Sequence, residues 1–345
     1  MAILVNLMAS TILLLGILIS FFVSTDAQSV GVCYGEFGNS LPSQQYVVNL
    51  YTTNGITRMR IYAPNPATLG ALGETDIELI LDVPNGSLES LTDPNAATTW
   101  VRDNVLSYPD VNFRYIAVGN EVDPNNDNTR GFASFVLPAM NNVHNALRAV
   151  GLDEDIKVST ATYTGLLKKS YPPSEGVFDD NVLSFIKPII TFLAQNGSPM
   201  LANIYPYFAH VGPPMLPDLS FALFTKSTPA YSDQGRPYFN LFDAMYDAHY
   251  AAQSRLGGGN VEIVVSESGW PSAEGDVATT ENAGTYYRNL ISHVKSSSGT
   301  PARPGRSIET YLFAMFDENL KPGKETEKHF GVFLPDQRPK YQLSF

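Results

Sequence analysis

Short runs of apolar and β-branched residues recur along this chain with stretches of helical spacing between them, and that alternation restricts the fold more than any other feature. Strands are expected at about Val30–Tyr34, Thr57–Tyr62, Glu78–Val83, Tyr115–Val118, Lys157–Ala161, Leu201–Tyr205, Glu262–Ser266 and Thr310–Phe316. Helical spacing joins Phe132, Phe135, Val136, Ala139, Val143 and Leu147, and later Tyr246 and Tyr250. A helix over Thr279–Lys295 has a clear start, since Thr279 or Thr280 can cap its free amides and Glu281 sits at the positive end of the dipole. Strands alternating with helices in this way predict an α/β fold, a (β/α)8 TIM barrel. The composition, 44% apolar and 16% charged, provides a sizeable core, and one unit over 28–345 is expected. The stretch Val211–Pro237, rich in Pro, Ser and Phe, reads as a small insertion after the sixth strand that packs on the barrel and walls a cleft.

Residues 1–27 read as a secretory signal peptide. Ile12 to Val23 is almost continuously apolar, and Thr25 and Ala27 give small residues at −3 and −1 before Gln28, although Met1 to Ser10 carries no Lys or Arg. The expectation is a secreted protein with no membrane association after removal of this segment. Sequons at Asn85-Gly86-Ser87 and Asn196-Gly197-Ser198 are compatible with secretion, Pro199 disfavouring use of the second. A net charge of −12 argues against nucleic acid or an anionic membrane as partner. The single cysteine, Cys33, allows no intramolecular disulfide and reads as a small strand residue. The five histidines show no metal-ligand spacing, and Gly257-Gly258-Gly259 lacks the Lys and Ser/Thr of a phosphate cradle, so no metal and no cofactor is implied.

Two of the expected strands end on a glutamate. Tyr115 to Glu121 and Ile263 to Glu267 each bring a carboxylate to the C-terminal end of a strand, where the loops of a barrel converge on one mouth. Two carboxylates about 5 Å apart suit retaining glycoside hydrolysis, whereas roughly 6.5–9.5 Å suits inversion. The plainer alternative is a pair of strand-end charges facing solvent or bridged to Arg or Lys. Their company argues otherwise: Asn120 can bond a sugar hydroxyl beside Glu121, and Trp270 can offer a flat face to a pyranose near Glu267. Tyr34, Tyr62, Tyr205, Tyr207 and Phe208 fall at or just after strand ends, but in a chain with 18 Tyr and 19 Phe most aromatics are packing.

The segments Gly31-Val32-Cys33-Tyr34-Gly35, Arg58-Met59-Arg60-Ile61-Tyr62, Val118-Gly119-Asn120-Glu121, Asn203-Ile204-Tyr205-Pro206-Tyr207-Phe208, Ser266-Glu267-Ser268-Gly269-Trp270-Pro271-Ser272 and Phe316-Asp317-Glu318-Asn319-Leu320-Lys321 together resemble a plant glycoside hydrolase family 17 β-1,3-glucanase. The resemblance implies a retaining endo-hydrolase, with Glu121 as general acid/base and Glu267 as nucleophile. It brings in Glu318, Lys321 and Glu327 as polar residues around the cleft, Glu318 and Glu327 equally suiting an ion-pair cluster that supports the mouth; Tyr34 and Tyr205 sit in its motifs and join Asn120 and Trp270 as expected sugar-binding residues. In that reading Glu121 must stay protonated until it donates, raised by apolar surroundings or by the charge of Glu267, while a nearby Lys321 favours the ionised form of Glu267. The implied partner is a β-glucan polysaccharide (laminarin, callose or fungal wall glucan), handled by a monomer. The rivals are a mixed-linkage β-1,3-1,4-glucan hydrolase and a non-catalytic glucan-binding protein. The family includes defence enzymes and forms with a vacuolar C-terminal extension, and the ending Lys340 to Phe345 favours the apoplast or cell wall over the vacuole.

Overall fold

In a computed structural model of the chain, residues 30–212 and 217–345 are described, so the expected signal peptide lies outside the described residues. Eight parallel strands close into a barrel: β1 (Val30–Tyr34), β2 (Arg58–Ile61), β3 (Glu78–Val83), β4 (Asn112–Asn120), β5 (Lys157–Tyr163), β6 (Met200–Asn203), β7 (Ile263–Ser268) and β8 (Thr310–Leu312). Each pairs with its sequence neighbours, and β1 closes on β8 with Val30 opposite Thr310. Helices α1 (Gln44–Thr53), α2 (Pro66–Leu72), α3 (Pro94–Val101), α4 (Ala133–Ala149), α5 (Leu183–Asn196), α6 (Leu241–Arg255) and α7 (Thr280–Lys295) follow the first seven strands.

The expected helical stripes are the buried ones. In α4, Val136, Ala139, Val143 and Leu147 face the core, with Phe132 and Phe135 packed against it from the edge. Tyr246 and Tyr250 lie buried along α6. Thr279 caps α7 by accepting the Asn282 N–H at 3.1 Å, with Glu281 in the first turn. Fully burying each Val, Leu or Ile of this core contributes about 1.5–3 kcal/mol.

The eighth strand is shorter than its apolar run. At Phe313 the N–H turns to the carbonyl of Ser268, and Ala314 and Met315 then exchange hydrogen bonds with Phe330, Val332 and Phe333. Residues 313–316 thus keep bonds to both neighbouring staves, Phe313 to Ser268 of β7 and Met315 to Cys33 of β1, while also pairing with a returning segment that supplies part of the rim. The sixth strand also stops early, because Pro206 opens a short helix (Pro206–Val211) immediately after Tyr205. After this helix come a helical turn, Leu219–Ala222, and a hairpin of Tyr231–Asp233 with Arg236–Tyr238, before α6 begins.

Candidate active site

At the end of β4 the chain leaves regular strand geometry. Gly119 has φ +82°, Glu121 has φ +51°, and the pairing with β5 slips between Ala117 and Asn120. A left-handed residue that carries a Cβ costs roughly 1–2 kcal/mol, so surrounding contacts must hold it there. One is direct: the Glu121 N–H donates to the carbonyl of Ala161 at 2.8 Å. The kink puts Glu121 on the lining of a cavity of about 1460 Å3 at the mouth, which Glu267 also lines.

Glu267 reaches the mouth through a similar slip in β7, where it stands opposite Asn203. Its Oε1 accepts from Arg60 Nη1 at 2.9 Å and from the Tyr62 hydroxyl at 2.7 Å, and its Oε2 accepts from the Tyr205 hydroxyl at 2.7 Å. Arg60 is fully buried, with its other donors on Asp82 (3.1 and 2.7 Å) and on Asn120 Oδ1 (2.9 Å). A buried pair such as Arg60–Asp82 is weak evidence for stability, because desolvation offsets the attraction, but it fixes the guanidinium in one orientation.

Asn203 joins the two carboxylates. Its Nδ2 donates to Glu121 Oε1 at 2.8 Å, while its Oδ1 accepts from Arg60 at 3.3 Å and from the Ser266 hydroxyl at 2.8 Å. The Glu121 carboxyl is pushed up to about 7 by burial and by the negative charge of Glu267, with Asn203, Arg60 and Lys321 pulling the other way. Asn120 Oδ1 accepts from Arg60 and from Asn203, and its amide nitrogen has no protein partner among the described residues.

A third acidic group sits at the rim. Glu318 is buried, accepts the Phe37 N–H at 3.2 Å, and is held above the usual carboxylate range by burial, Lys321 opposing. A Cβ at Gly35 would lie 2.1 Å from Glu318 Oε1, so glycine is needed there for the carboxylate to fit. Lys321 Nζ lies 3.4 Å from Glu327 Oε2 and 4.2 Å from the centre of the Phe313 ring. Lys321 therefore pairs with Glu327, and the cation on Glu267 is Arg60.

Two expected aromatic contacts are corrected. Trp270 is fully buried: its indole N–H donates to the Val277 carbonyl at 3.0 Å and its ring packs on Tyr207 and Tyr286, so it shows no face to a sugar. Tyr34 is likewise buried, edge-on to Phe316, and is absent from the described cavity lining. Tyr62 lines the cavity, its hydroxyl on Glu267. Tyr205, Asn120, Glu318, Lys321 and Glu327 do line the cavity, together with Phe208, Tyr163 and Tyr171 and, from the segment after β6, Asp218, Phe221, Lys226 and Tyr231.

Arg60, Asp82 and Asn203 lay inside strands and were not assigned a role from the sequence. The available signal was Arg58 and Arg60 at alternate positions of an otherwise apolar strand, which puts two guanidiniums on one face of a barrel stave. Among the described residues no group of three His, Cys, Asp or Glu is arranged to hold a metal ion.

A parallel (β/α)8 barrel whose strand ends bring two carboxylates into one hydrogen-bond network defines a barrel glycosidase. The profile of the glycosyl hydrolases family 17 matches residues 30–345, and the chain belongs to that family. A glucan endo-1,3-beta-glucosidase of Vitis vinifera is 60% identical over 336 residues, covering 97% of this chain and 96% of its own. Glucan endo-1,3-beta-glucosidase A of Solanum lycopersicum is 56% identical over 346 residues, covering 100% of both. The solved structure of CJP38, a beta-1,3-glucanase and allergen of Cryptomeria japonica pollen, matches with a TM-score of 0.89 and 48% identity over 92% of this chain and 99% of its own.

Proposed function

We propose that the chain is a secreted, retaining endo-hydrolase of β-1,3-glucan in which Glu267 is the nucleophile and Glu121 the general acid/base. The observation that carries this reading is the asymmetry between the two carboxylates. Glu121 is held to about 7 by burial and by its neighbour, so it keeps a proton to give at mildly acidic pH. Glu267 instead meets three converging donors, one of them cationic, a setting that complements an anion and orients it for attack.

In the first step Glu121 gives its proton to the glycosidic oxygen as the bond from that oxygen to the anomeric carbon breaks. A Glu267 oxygen bonds to the same carbon from the opposite face and leaves a covalent glycosyl-enzyme. In the second step water loses a proton to Glu121 and attacks the anomeric carbon, which frees Glu267 and restores the β configuration. Asn120 donates its unpartnered amide to a sugar hydroxyl next to the scissile bond, an interaction that strengthens as charge develops. The leader-like pattern of residues 1–27 supports export. No helix among the described residues is long and apolar enough to cross a membrane.

The test is hydrolysis of laminarin by the mature protein beside E267A, following product sizes and the anomer first released. Internal cleavage that yields the β-anomer and is lost in the variant supports the mechanism. Release of the α-anomer, or appreciable cleavage by E267A, overturns the assignment of the nucleophile. Cleavage of mixed-linkage glucan alone moves the substrate to that polymer, and saturable binding without product from either glucan leaves only a binding protein.

A further inference from the structure

Backbone pairing between β3 and β4 ends with Val83 opposite Val118. The next residue of the β3 chain is Pro84, which has no N–H to offer, so the ladder cannot extend by backbone alone. The side chain of Asn85 takes over. Its Nδ2 donates to the Asn120 carbonyl at 2.9 Å, and its Oδ1 accepts the Asn120 N–H at 2.9 Å. One carboxamide thus satisfies both backbone polar atoms of a residue that sits between two left-handed neighbours, Gly119 and Glu121. The fit is close: a Cβ at Gly119 would lie 3.2 Å from Asn85 Oδ1 and 3.2 Å from Leu88 Cδ1.

We propose that Asn85 is a positioning residue for the reaction, clamping the Asn120 backbone so that the kinked end of β4 aims Glu121, and that the sequon it heads stays unglycosylated in the working enzyme. The inference rests on the role proposed above for Glu121. A carboxamide that meets the N–H and C=O of one residue uses the edge carrying Oδ1 and the amide hydrogen beside it. An N-linked glycan replaces that same hydrogen, so the clamp and the glycan exclude each other. Without the clamp, Asn120 has only its side-chain bonds to Arg60 and Asn203 to hold it, and Glu121, still tied to Ala161 through its N–H and to Asn203 through its carboxyl, loses the fixed backbone that aims it.

The experiment compares the mature wild-type enzyme with N85A, N85D and S87A. N85A is expected to lose about 10–100-fold in kcat with little change in KM, as a displaced catalytic group would. Its basic limb of activity against pH should move to lower pH, because opening Glu121 to water relieves the burial that raises it. N85D keeps an acceptor for the Asn120 N–H but sets a carboxylate oxygen against the Asn120 carbonyl, so it should lose kcat as N85A does. S87A destroys the sequon without touching the clamp and should match wild type. Titration of the Glu121 carboxyl by 13C NMR in wild type and N85D reads the positioning without turnover, so it still decides if the wild type proves to cleave no glucan. If N85A does not fold, N85D carries the comparison. Wild-type kcat, pH limb and Glu121 titration in N85A and N85D would overturn the proposal, as would a loss confined to melting temperature. A glycan on Asn85 in fully active enzyme, found by mass spectrometry of the secreted protein, would overturn it too.

Discussion

Arg58 and Arg60 are two residues apart on β2, on the same face and equally buried, yet they serve opposite ends of the barrel. Arg58 bonds Glu78 at 2.6 Å, and Arg114 bonds Glu78 at 2.6 Å and Glu309 at 2.9 Å, so at the strand starts two guanidiniums face two carboxylates. The hydroxyls of Tyr115 and Tyr311 add further donors to Glu309. At the other end Arg60 and Lys321 stand among Asp82, Glu121, Glu267, Glu318 and Glu327, an excess of acid in the same fold. The strand starts balance their charges and are finished with them. Burial at the mouth, where carboxylates also outnumber cations, is what pushes the Glu121 carboxyl up to about 7.

Four measurements would break or sharpen that contrast. The largest effect belongs to E267A, for which glucan cleavage should fall by on the order of 10^4-fold or more while an intact laminari-oligosaccharide still binds, as followed by calorimetry. E121Q should follow, with roughly a 10^2–10^4-fold loss in kcat and no remaining basic limb near pH 7 in the rate profile. Third, R60M should lower stability by about 3–5 kcal/mol in urea unfolding, because it leaves the buried carboxylates of Asp82 and Glu267 uncompensated, and R58M by less, because Glu78 is partly exposed and keeps Arg114. Only R60M should also reduce kcat per folded molecule. Equal activity losses in the two variants would mean that the ends are not functionally distinct.

The smallest effect is a slope of stability with pH. The folded-state value of Glu121 lies above its unfolded value, so its contribution is complete below about pH 4.5 and is lost as pH rises through about 7. The melting temperature should therefore fall between these values by an amount corresponding to about 1–3 kcal/mol, and E121Q should flatten that part of the curve. An unchanged slope in E121Q would show that the mouth does not penalise the ionised carboxyl.

Much of this was legible in the sequence because it depends on periodicity. The apolar runs marked all the barrel strands, and the runs ending on Glu121 and Glu267 marked the mouth. Trp270 and Tyr34 were misjudged for a physical reason: an aromatic ring at a strand end suits stacking on a sugar and packing on a neighbour equally, and only the neighbours decide. Arg60 and Asn203 were hidden by the opposite bias, since a charge or amide inside a strand has no meaning until its partners from other staves are known. Asn85 was noticed as a sequon, yet its part in holding Asn120 depends on a residue 35 positions away.

The pairing of Val30 with Thr310 also sets a timetable for making the enzyme. While the chain is being synthesised, the first stave waits with one open edge until the eighth has emerged, and no earlier stave can close the cylinder. Contacts of such long sequence separation slow folding and leave unpaired edges available to other chains. Glu121 is made well before Glu267, and the rim residues Glu318 and Lys321 come later still. A nascent chain therefore carries one of the two carboxylates proposed for cleavage on an unfinished cylinder, and on that reading the capacity to cleave glucan arrives only with closure.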